Sequence, residues 1–186
     1  MIPDDDFITH EGVPGPTKEE IRCIVMCKLN VSQNDTVVEI GCGTGGLTLE
    51  FAKRSHIIYA VDKNINALNT TEKNLKKHDL YENVKLIHKD ALEALKDIET
   101  FDILMIGGSG GDLSSIIKEG YKKLSKNGKI IVTSILLETP VEAIKIMKQL
   151  NMIIDVVDVS ISNGNIMERG TMMIARNPIT IVTGTK

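Results

Sequence analysis

The sequence predicts an α/β fold, in which a mostly parallel β-sheet carries helices on both faces. Short β-branched segments alternate with segments of helical periodicity from residue 36 to residue 150, and alternating βαβα units build parallel sheets. The segment 103–106 is apolar at every position, as expected for a strand buried on both faces. A glycine-rich segment, 41–46, follows the first predicted strand, at the edge where open α/β sheets bind ligands.

Six helices and five strands are predicted before the C-terminal tail. The first helix covers 17–29, where Thr17 and Glu20 form a capping box and apolar residues follow at helical spacing. The predicted strands are 37–40, 57–61, 84–87, 103–106 and 129–135, with 126–128 as a turn before the fifth. The remaining helices are 47–54, 65–78, 91–95, 113–124 and 141–150.

The tail breaks the alternation of strands and helices. Segments 153–162 and 172–182 are both strand-like and are joined by Asn163, Gly164, Asn165 and a few polar residues. Because no helix separates them, we predict that they pair antiparallel and close one edge of the sheet. The sheet therefore has seven predicted strands, the last of which is reversed.

Composition excludes several classes of protein. The chain has 186 residues, 42% hydrophobic and 25% charged, which is typical of one soluble domain. Aromatic residues make up 3% and the net charge is −3, and both disfavour nucleic-acid binding. The aspartates at 4–6 do not fit a signal peptide, and the longest apolar stretch, 130–137, is too short to cross a bilayer. We therefore expect a cytoplasmic location and no association with a membrane.

Three cysteines, Cys23, Cys27 and Cys42, argue for a reducing compartment because their number is odd and no secretory segment is present. Cys23 and Cys27 share one face of the first helix, and we expect two small buried thiols there. No second Cys or His pair follows at ligand spacing, so no metal site is predicted.

The glycine segment satisfies the pattern G-x-G-x-x-G through Gly41, Gly43 and Gly46. Glycines permit positive φ and let backbone N–H groups approach a ligand, so this segment predicts a nucleotide site. A nicotinamide oxidoreductase, a nucleotide-binding regulatory module and a tight turn without any ligand are the alternatives.

Acidic residues at three consecutive strand ends narrow these alternatives. Asp62 ends the second strand, 21 residues after Gly41, where a carboxylate can accept both ribose hydroxyls. Asp90 and Ala91 follow the third strand, where residues of a nucleoside site would contact the nucleobase or its exocyclic amine. Glu39 lies two residues before the first glycine and disfavours a pyrophosphate. The set favours a nucleoside over a dinucleotide.

Residues 37–45 resemble the first motif of class I S-adenosylmethionine-dependent methyltransferases. Asp62 and Asp90-Ala91 match the next two strand-end positions of that family, and 124–129 resembles the turn before its fifth strand. The reversed tail pair also matches, and nicotinamide-binding Rossmann domains lack it. The resemblance implies a Rossmann-like fold and S-adenosylmethionine as cofactor. The cofactor-binding residues implied are Thr17, Gly41, Cys42, Gly43, Thr44, Gly45, Asp62, Asp90 and Ala91.

Segments 2–7, 13–14, 17–22, 107–111 and 177–178 resemble the cobalt-precorrin-6B C15-methyltransferases (decarboxylating) of cobalamin biosynthesis, in their small single-domain form. One departure is Gly15-Pro16, where that family more often has a methionine. The resemblance implies a tetrapyrrole substrate, a homotetramer and possible association with a separate C5-methyltransferase. It also implies an N-terminal segment and helix, 1–33, over the cofactor site of an α/β core, 34–186. Methylation of tRNA or of another small molecule is the alternative.

We predict residues that bind the methyl acceptor, but no residue that acts as a general acid or base. Gly108 and Ser109 follow the fourth strand, where class I methyltransferases place the substrate. Lys18, Arg22 and Arg169 are candidate cations for substrate carboxylates. The four histidines lack partners at catalytic spacing, and no Ser-His-Asp or Cys-His set is present. An electron-rich substrate carbon that attacks a sulfonium methyl group needs little help from a base.

Overall fold

The computed structural model describes residues 1–186, and one turn of 3₁₀ helix, Asp4–Asp6, precedes the first α-helix. The helices are α1 (Glu19–Leu29), α2 (Gly46–Ala52), α3 (Ile65–Lys77), α4 (Ala91–Asp97), α5 (Leu113–Lys123) and α6 (Glu138–Gln149). The strands are β1 (Thr36–Ile40), β2 (Ile57–Asp62), β3 (Val84–His88), β4 (Phe101–Ile106), β5 (Leu124–Ser134), β6 (Ile153–Val159), β7 (Ser162–Met167), β8 (Gly170–Ala175) and β9 (Ile179–Thr185). None of the helices is long and apolar enough to span a membrane.

Seven strands form one sheet in the order β3-β2-β1-β4-β5-β9-β6. Strands β1 to β5 pair in parallel, and β9 pairs antiparallel with both β5 and β6. The predicted fold class, a Rossmann-like and mostly parallel sheet with a reversed last strand, is confirmed. The strand order reverses between β1 and β4, so a crevice opens beyond the carboxyl ends of these two strands.

Two apolar layers cover the two faces of the sheet. Helices α1, α2 and α3 pack on one face, and α4, α5 and α6 pack on the other. Successive strand side chains alternate between the layers, so Val37 joins the first layer and Val38 the second. All residues of 103–106 are buried, as predicted for a strand whose two faces are both covered by helices.

The tail agrees with the prediction in part. Strand β6 pairs antiparallel with β9 and closes one edge of the sheet, as predicted, but β7 and β8 form a separate two-stranded hairpin between them. The single predicted strand 172–182 is wrong because it breaks at 176–178, where Pro178 has no N–H to donate to a ladder. Apolar side chains of the hairpin, among them Ile166 and Met173, are exposed in the single chain.

Local details at α1 and β5 also differ. Helix α1 begins at Glu19 without a side-chain cap, and the Glu20 carboxylate accepts a hydrogen bond from Arg176 instead, so the predicted capping box is wrong. Cys23 and Cys27 are exposed, because the opposite face of α1 packs on the sheet. Strand β5 already begins at Leu124 and contains the predicted turn as an irregularity, with Asn127 at φ +64°.

Candidate functional site

A cavity of about 470 Å³ lies in the crevice between β1 and β4. Its walls are the glycine segment after β1, the ends of β2 and β3, the loop after β4 and the N-terminal segment 14–17. Of the predicted residues, those that line it are Thr17, Gly41, Cys42, Gly43, Thr44, Asp62, Asp90, Ala91, Gly108 and Ser109. Glu39, the third acidic residue noted at a strand end, also lines the cavity, together with three charged residues that were not predicted: Lys63, Lys89 and Asp112.

The glycine segment passes very close to the loop after β4. Gly41 has φ +77°, and a Cβ at this position would lie 3.0 Å from the backbone nitrogen of Gly108. The Gly41 N–H donates to the carbonyl of Val61 at 2.9 Å, which ties the segment to the end of β2. Only glycine fits this crossing, because it has neither a side chain nor a penalty at positive φ.

Asp62 is held by two backbone donors. One carboxylate oxygen accepts from the N–H of Gly43 at 3.0 Å, and the other accepts from the N–H of Asn64 at 2.9 Å. Each oxygen can accept a further hydrogen bond, so Asp62 both shapes the glycine segment and can still bind the hydroxyls of a ribose.

Asp90 is the N-cap of α4, where its carboxylate accepts from the N–H of Leu92 at 3.0 Å. This capping contact engages one oxygen of an exposed side chain that also lines the cavity. Asp90 therefore stabilises the helix and leaves its second oxygen free to meet the amine of a base.

Glu39 lies at the bottom of the cavity and is only 3% exposed. Burial raises its pKa to about 8, against the lowering effect of the hydrogen bond from Thr48 and with a further increase from the charge of Asp62. The hydroxyl of Thr48 donates to this carboxyl group at 2.6 Å. The same burial, with the charges of Glu39 and Asp62, raises the pKa of the Cys42 thiol, which keeps it protonated.

The N-terminal segment forms the roof of the cavity. The Thr44 hydroxyl donates to the carbonyl of Pro14, and a Cβ on Gly46 would lie 3.0 Å from the nitrogen of Thr17. Arg22 holds the roof from beneath, since its guanidinium donates to the carbonyl of Thr17 at 2.6 Å. The predicted role of Arg22 as a substrate cation is wrong, because its side chain is fully buried and pairs with Asp4 and Glu50.

Two other predicted residues lie outside the cavity. Gly45 caps the start of α2 with φ +88°, and a Cβ there would press on Thr71 and Leu49. Arg169 lies in the turn of the β7–β8 hairpin, on an exposed surface of the chain. The other predicted cation, Lys18, borders a second cavity.

This second cavity, of about 600 Å³, shares a wall with the first. The residues that line both are Pro16, Thr17, Gly107, Gly108, Ser109, Gly110 and Thr133. Lys18 is the only charged residue in the second lining, which contains no Asp, Glu, His, Cys or Tyr and is otherwise aliphatic, hydroxyl-bearing or glycine. Carboxylates thus line the first cavity and are absent from the second.

The sequence matches a known family along almost its whole length. A family model described as "Precorrin methyltransferase domain" matches residues 7–186. The chain is 47% identical over 182 residues to a probable cobalt-precorrin-6B C(15)-methyltransferase (decarboxylating) of Methanothermobacter thermautotrophicus, covering 98% of this chain and 95% of the relative. It is also 47% identical to the protein of the same name from Methanobrevibacter smithii, with full coverage of both chains.

Solved structures agree with this likeness. A structure described as precorrin 8W decarboxylase, from Methanobacterium thermoautotrophicum, superposes with a TM-score of 0.96 at 47% identity and covers 99% of both chains. A precorrin-6Y C5,15-methyltransferase from Geobacter metallireducens superposes with a TM-score of 0.92 at 29% identity, covering 100% of this chain and 98% of that one.

Proposed function

The chain belongs to the precorrin methyltransferase family, and we propose that it transfers a methyl group from S-adenosylmethionine to C15 of cobalt-precorrin-6B and releases the C12 acetate carboxyl group as carbon dioxide. The product is cobalt-precorrin-7, an intermediate of cobalamin biosynthesis. The observation that carries this proposal is the pair of joined cavities, one lined with carboxylates and the other free of them.

The first cavity fits S-adenosylmethionine better than a dinucleotide. Glu39, Asp62, Asp90 and Asp112 face it against two lysines, which suits a ligand that carries cationic ammonium and sulfonium groups and repels a pyrophosphate. Asp62 is placed to accept the ribose hydroxyls, and Asp90 with Ala91 to contact the base. The N–H groups of Gly41 and Gly43 already donate to Val61 and Asp62, so these glycines contribute space without side chains, which lets the rest of the cofactor approach the backbone closely.

The second cavity fits a tetrapyrrole that carries acetate and propionate groups. A lining without carboxylates avoids repulsion of such a substrate, although the chain as a whole has a net charge of −3. Lys18 at its border is the one cation available to a substrate carboxylate. Gly108 and Ser109 lie in the wall shared by both cavities, where their backbone N–H groups can contact the acceptor.

Positioning is the main contribution of these residues to methyl transfer. S-adenosylmethionine supplies an electrophilic methyl group when it is bound. Thr17, Gly108 and Ser109 line both cavities, which supports an acceptor held next to the cofactor. Such alignment replaces a bimolecular encounter by a reaction within one complex. The C15 carbon of the electron-rich macrocycle then forms the new bond as the sulfur–methyl bond breaks.

Decarboxylation follows from the chemistry of the substrate and the largely apolar lining of its site. The bond between the acetate methylene and its carboxyl carbon breaks, and its electron pair passes into the neighbouring ring in a protonated, iminium-like form. Carbon dioxide leaves and the methylene carbon later takes up a proton. Burial of the carboxylate among aliphatic side chains, as the second cavity allows, favours this loss.

A homotetramer and association with a separate C5-methyltransferase stay predictions from the family. The β7–β8 hairpin supports the first of these, because its apolar side chains need partners that the single chain does not supply.

Gly41→Ala is expected to weaken the binding of S-adenosylhomocysteine at least about tenfold, because the new methyl group would push the glycine segment away from Gly108. Gly12→Ala is the matched control. Gly12 has the same φ of +77°, but no atom lies within 4 Å of its added Cβ, and it does not line the cavity. Calorimetry measures both variants. Equal affinities for Gly41→Ala and Gly12→Ala would place the nucleoside elsewhere.

A further inference from the structure

The loop between β5 and α6 presents an aliphatic patch beside the second cavity. Ile135, Leu136 and Leu137 are 62%, 60% and 81% exposed. We call these three residues the aliphatic lip. Ile135 and Leu136 line the second cavity, so the lip continues its wall outward onto the surface. Three successive exposed aliphatic side chains are unusual on a monomeric surface and indicate a binding role.

The lip is held in a defined shape. The hydroxyl of Ser134 accepts from the N–H of Leu136 at 2.9 Å and donates to its carbonyl at 3.3 Å. Helix α6 begins directly afterwards at Glu138, and its Glu142 carboxylate accepts from the N–H of Ser114 at 3.1 Å, which ties α6 to the start of α5. The lip therefore stands at a fixed place between the cavity and a packed helix pair.

We infer that the aliphatic lip is the platform on which one face of the tetrapyrrole packs, and that Ile135 and Leu136 help to determine substrate specificity. This inference rests on the proposed function. A tetrapyrrole is a broad, flat ring with charged groups at its periphery, so its face needs apolar contact and its edge needs cations. Stacking on aromatic rings is not available, because neither the cavity lining nor the lip contains Phe, Tyr or Trp.

Two features favour a tetrapyrrole as the ligand of the lip: the charge of the neighbouring cavity and the continuity of the lip with the wall of that cavity. The lip borders a cavity whose only charged residue is Lys18, and the Lys18 ammonium group is half exposed, 3.6 Å from Asp4. An apolar surface beside a single, partly exposed ammonium group suits a polycarboxylate ring. The lip also leads to Gly108 and Ser109, so a ring seated on it reaches the shared wall of the two cavities.

The test is the double variant Ile135→Gln/Leu136→Gln, with Ile153→Gln as the matched control. Ile153 is 77% exposed, but it starts β6 in register with Thr185 and Lys129, at the other end of the strands from the lip. The double variant is expected to raise the KM for cobalt-precorrin-6B about tenfold, with kcat and the affinity for S-adenosylhomocysteine unchanged. The control is expected to change none of these quantities.

A second readout separates this inference from the proposed function. Uroporphyrin, a stable tetrapyrrole polycarboxylate, is titrated against the wild type and both variants, and weaker binding is expected for the double variant alone. Turnover by the wild type with an unchanged KM in the double variant would overturn the role of the lip and leave the proposed function standing. If the wild type does not turn over cobalt-precorrin-6B, the proposed function fails. Equal affinity for uroporphyrin in the wild type and the double variant would then also overturn the role of the lip in tetrapyrrole binding.

Discussion

Replacing Arg22 by methionine is expected to lower the free energy of unfolding by about 3–5 kcal/mol. The guanidinium is fully buried and lies 2.9 Å from Asp4 and 3.8 Å from Glu50. It also donates to the carbonyls of Ile2 and Thr17. Methionine has a similar length but carries no charge, so the buried Glu50 carboxylate loses its guanidinium partner on α1 and two carbonyls lose their donors.

The loss of the Arg22 contacts should also affect the first cavity, the proposed cofactor site. Glu50 keeps its hydrogen bonds from the N–H of Ile2 and from Arg54, but the roof segment loses the donor that fixes Thr17. Affinity for S-adenosylhomocysteine is therefore expected to fall together with stability. Denaturant titration measures the free energy of unfolding, and calorimetry measures the affinity.

Two further variants identify the cause of the Arg22 effect. Lys28→Met removes the partly exposed ion pair with Asp155 and should cost at most about 1 kcal/mol. Adding Glu50→Gln to Arg22→Met removes the carboxylate that was left without its partner, so it should restore part of the stability. A loss below about 1 kcal/mol for Arg22→Met would show that the buried pair does not stabilise the roof.

The free energy of unfolding of the wild type is expected to fall by about 4 kcal/mol between pH 5 and pH 8 because of Glu39, and Glu39→Gln is expected to lack this fall. Burial raises the pKa of Glu39 to about 8, from its usual value of 4.5. Between these values the unfolded chain has lost the proton that the folded chain keeps, so the stability of the wild type falls as the pH rises. Three pH units at about 1.4 kcal/mol each give this magnitude.

The glutamine variant cannot ionise, so it lacks this fall in stability. It can still accept the hydrogen bond from Thr48 through its amide oxygen. Glu93→Gln, at an exposed position in the first turn of α4, is the control and should follow the wild type. Urea titrations at both pH values measure the effect. A constant difference between Glu39→Gln and the wild type from pH 5 to pH 8 would contradict the assignment of Glu39 as a buried neutral acid.

Cofactor binding should depend on the same proton. A cationic ligand beside Glu39 favours the carboxylate, so binding of S-adenosylmethionine releases a proton near neutral pH. Its affinity for the wild type should rise as the pH increases towards 8, and Glu39→Gln should lose this dependence.

Much of the fold and of the first cavity could be predicted because the relevant signals are local in the chain. Gly41 and Gly43 stand directly after an apolar strand, and Asp62 and Asp90 stand at the ends of the next two. Parallel strands bring such positions to one edge whatever the rest of the chain does. Residues predicted from these short patterns therefore line the observed cavity, except Gly45, whose left-handed conformation serves the start of α2.

The remaining features depend on contacts between distant segments. The environment of Arg22 is set by where residues 2–4 fold back, and no local pattern distinguishes a buried arginine from an exposed one. The β7–β8 hairpin carries apolar residues without a core in the single chain, so its sequence looks like that of an ordinary buried strand. The second cavity is assembled from four segments, near 16–21, 106–113, 132–139 and Ile179, and no single segment reveals that it excludes carboxylates.

The most direct test of the proposed reaction is a mass measurement on the tetrapyrrole after incubation of the chain with cobalt-precorrin-6B. With S-adenosylmethionine present, the product should gain one methyl group and lose one carbon dioxide, and S-adenosylhomocysteine should form in equal amount. Labelled methyl from the cofactor should appear on C15. An unchanged tetrapyrrole under conditions in which the protein binds S-adenosylhomocysteine would contradict the proposed reaction.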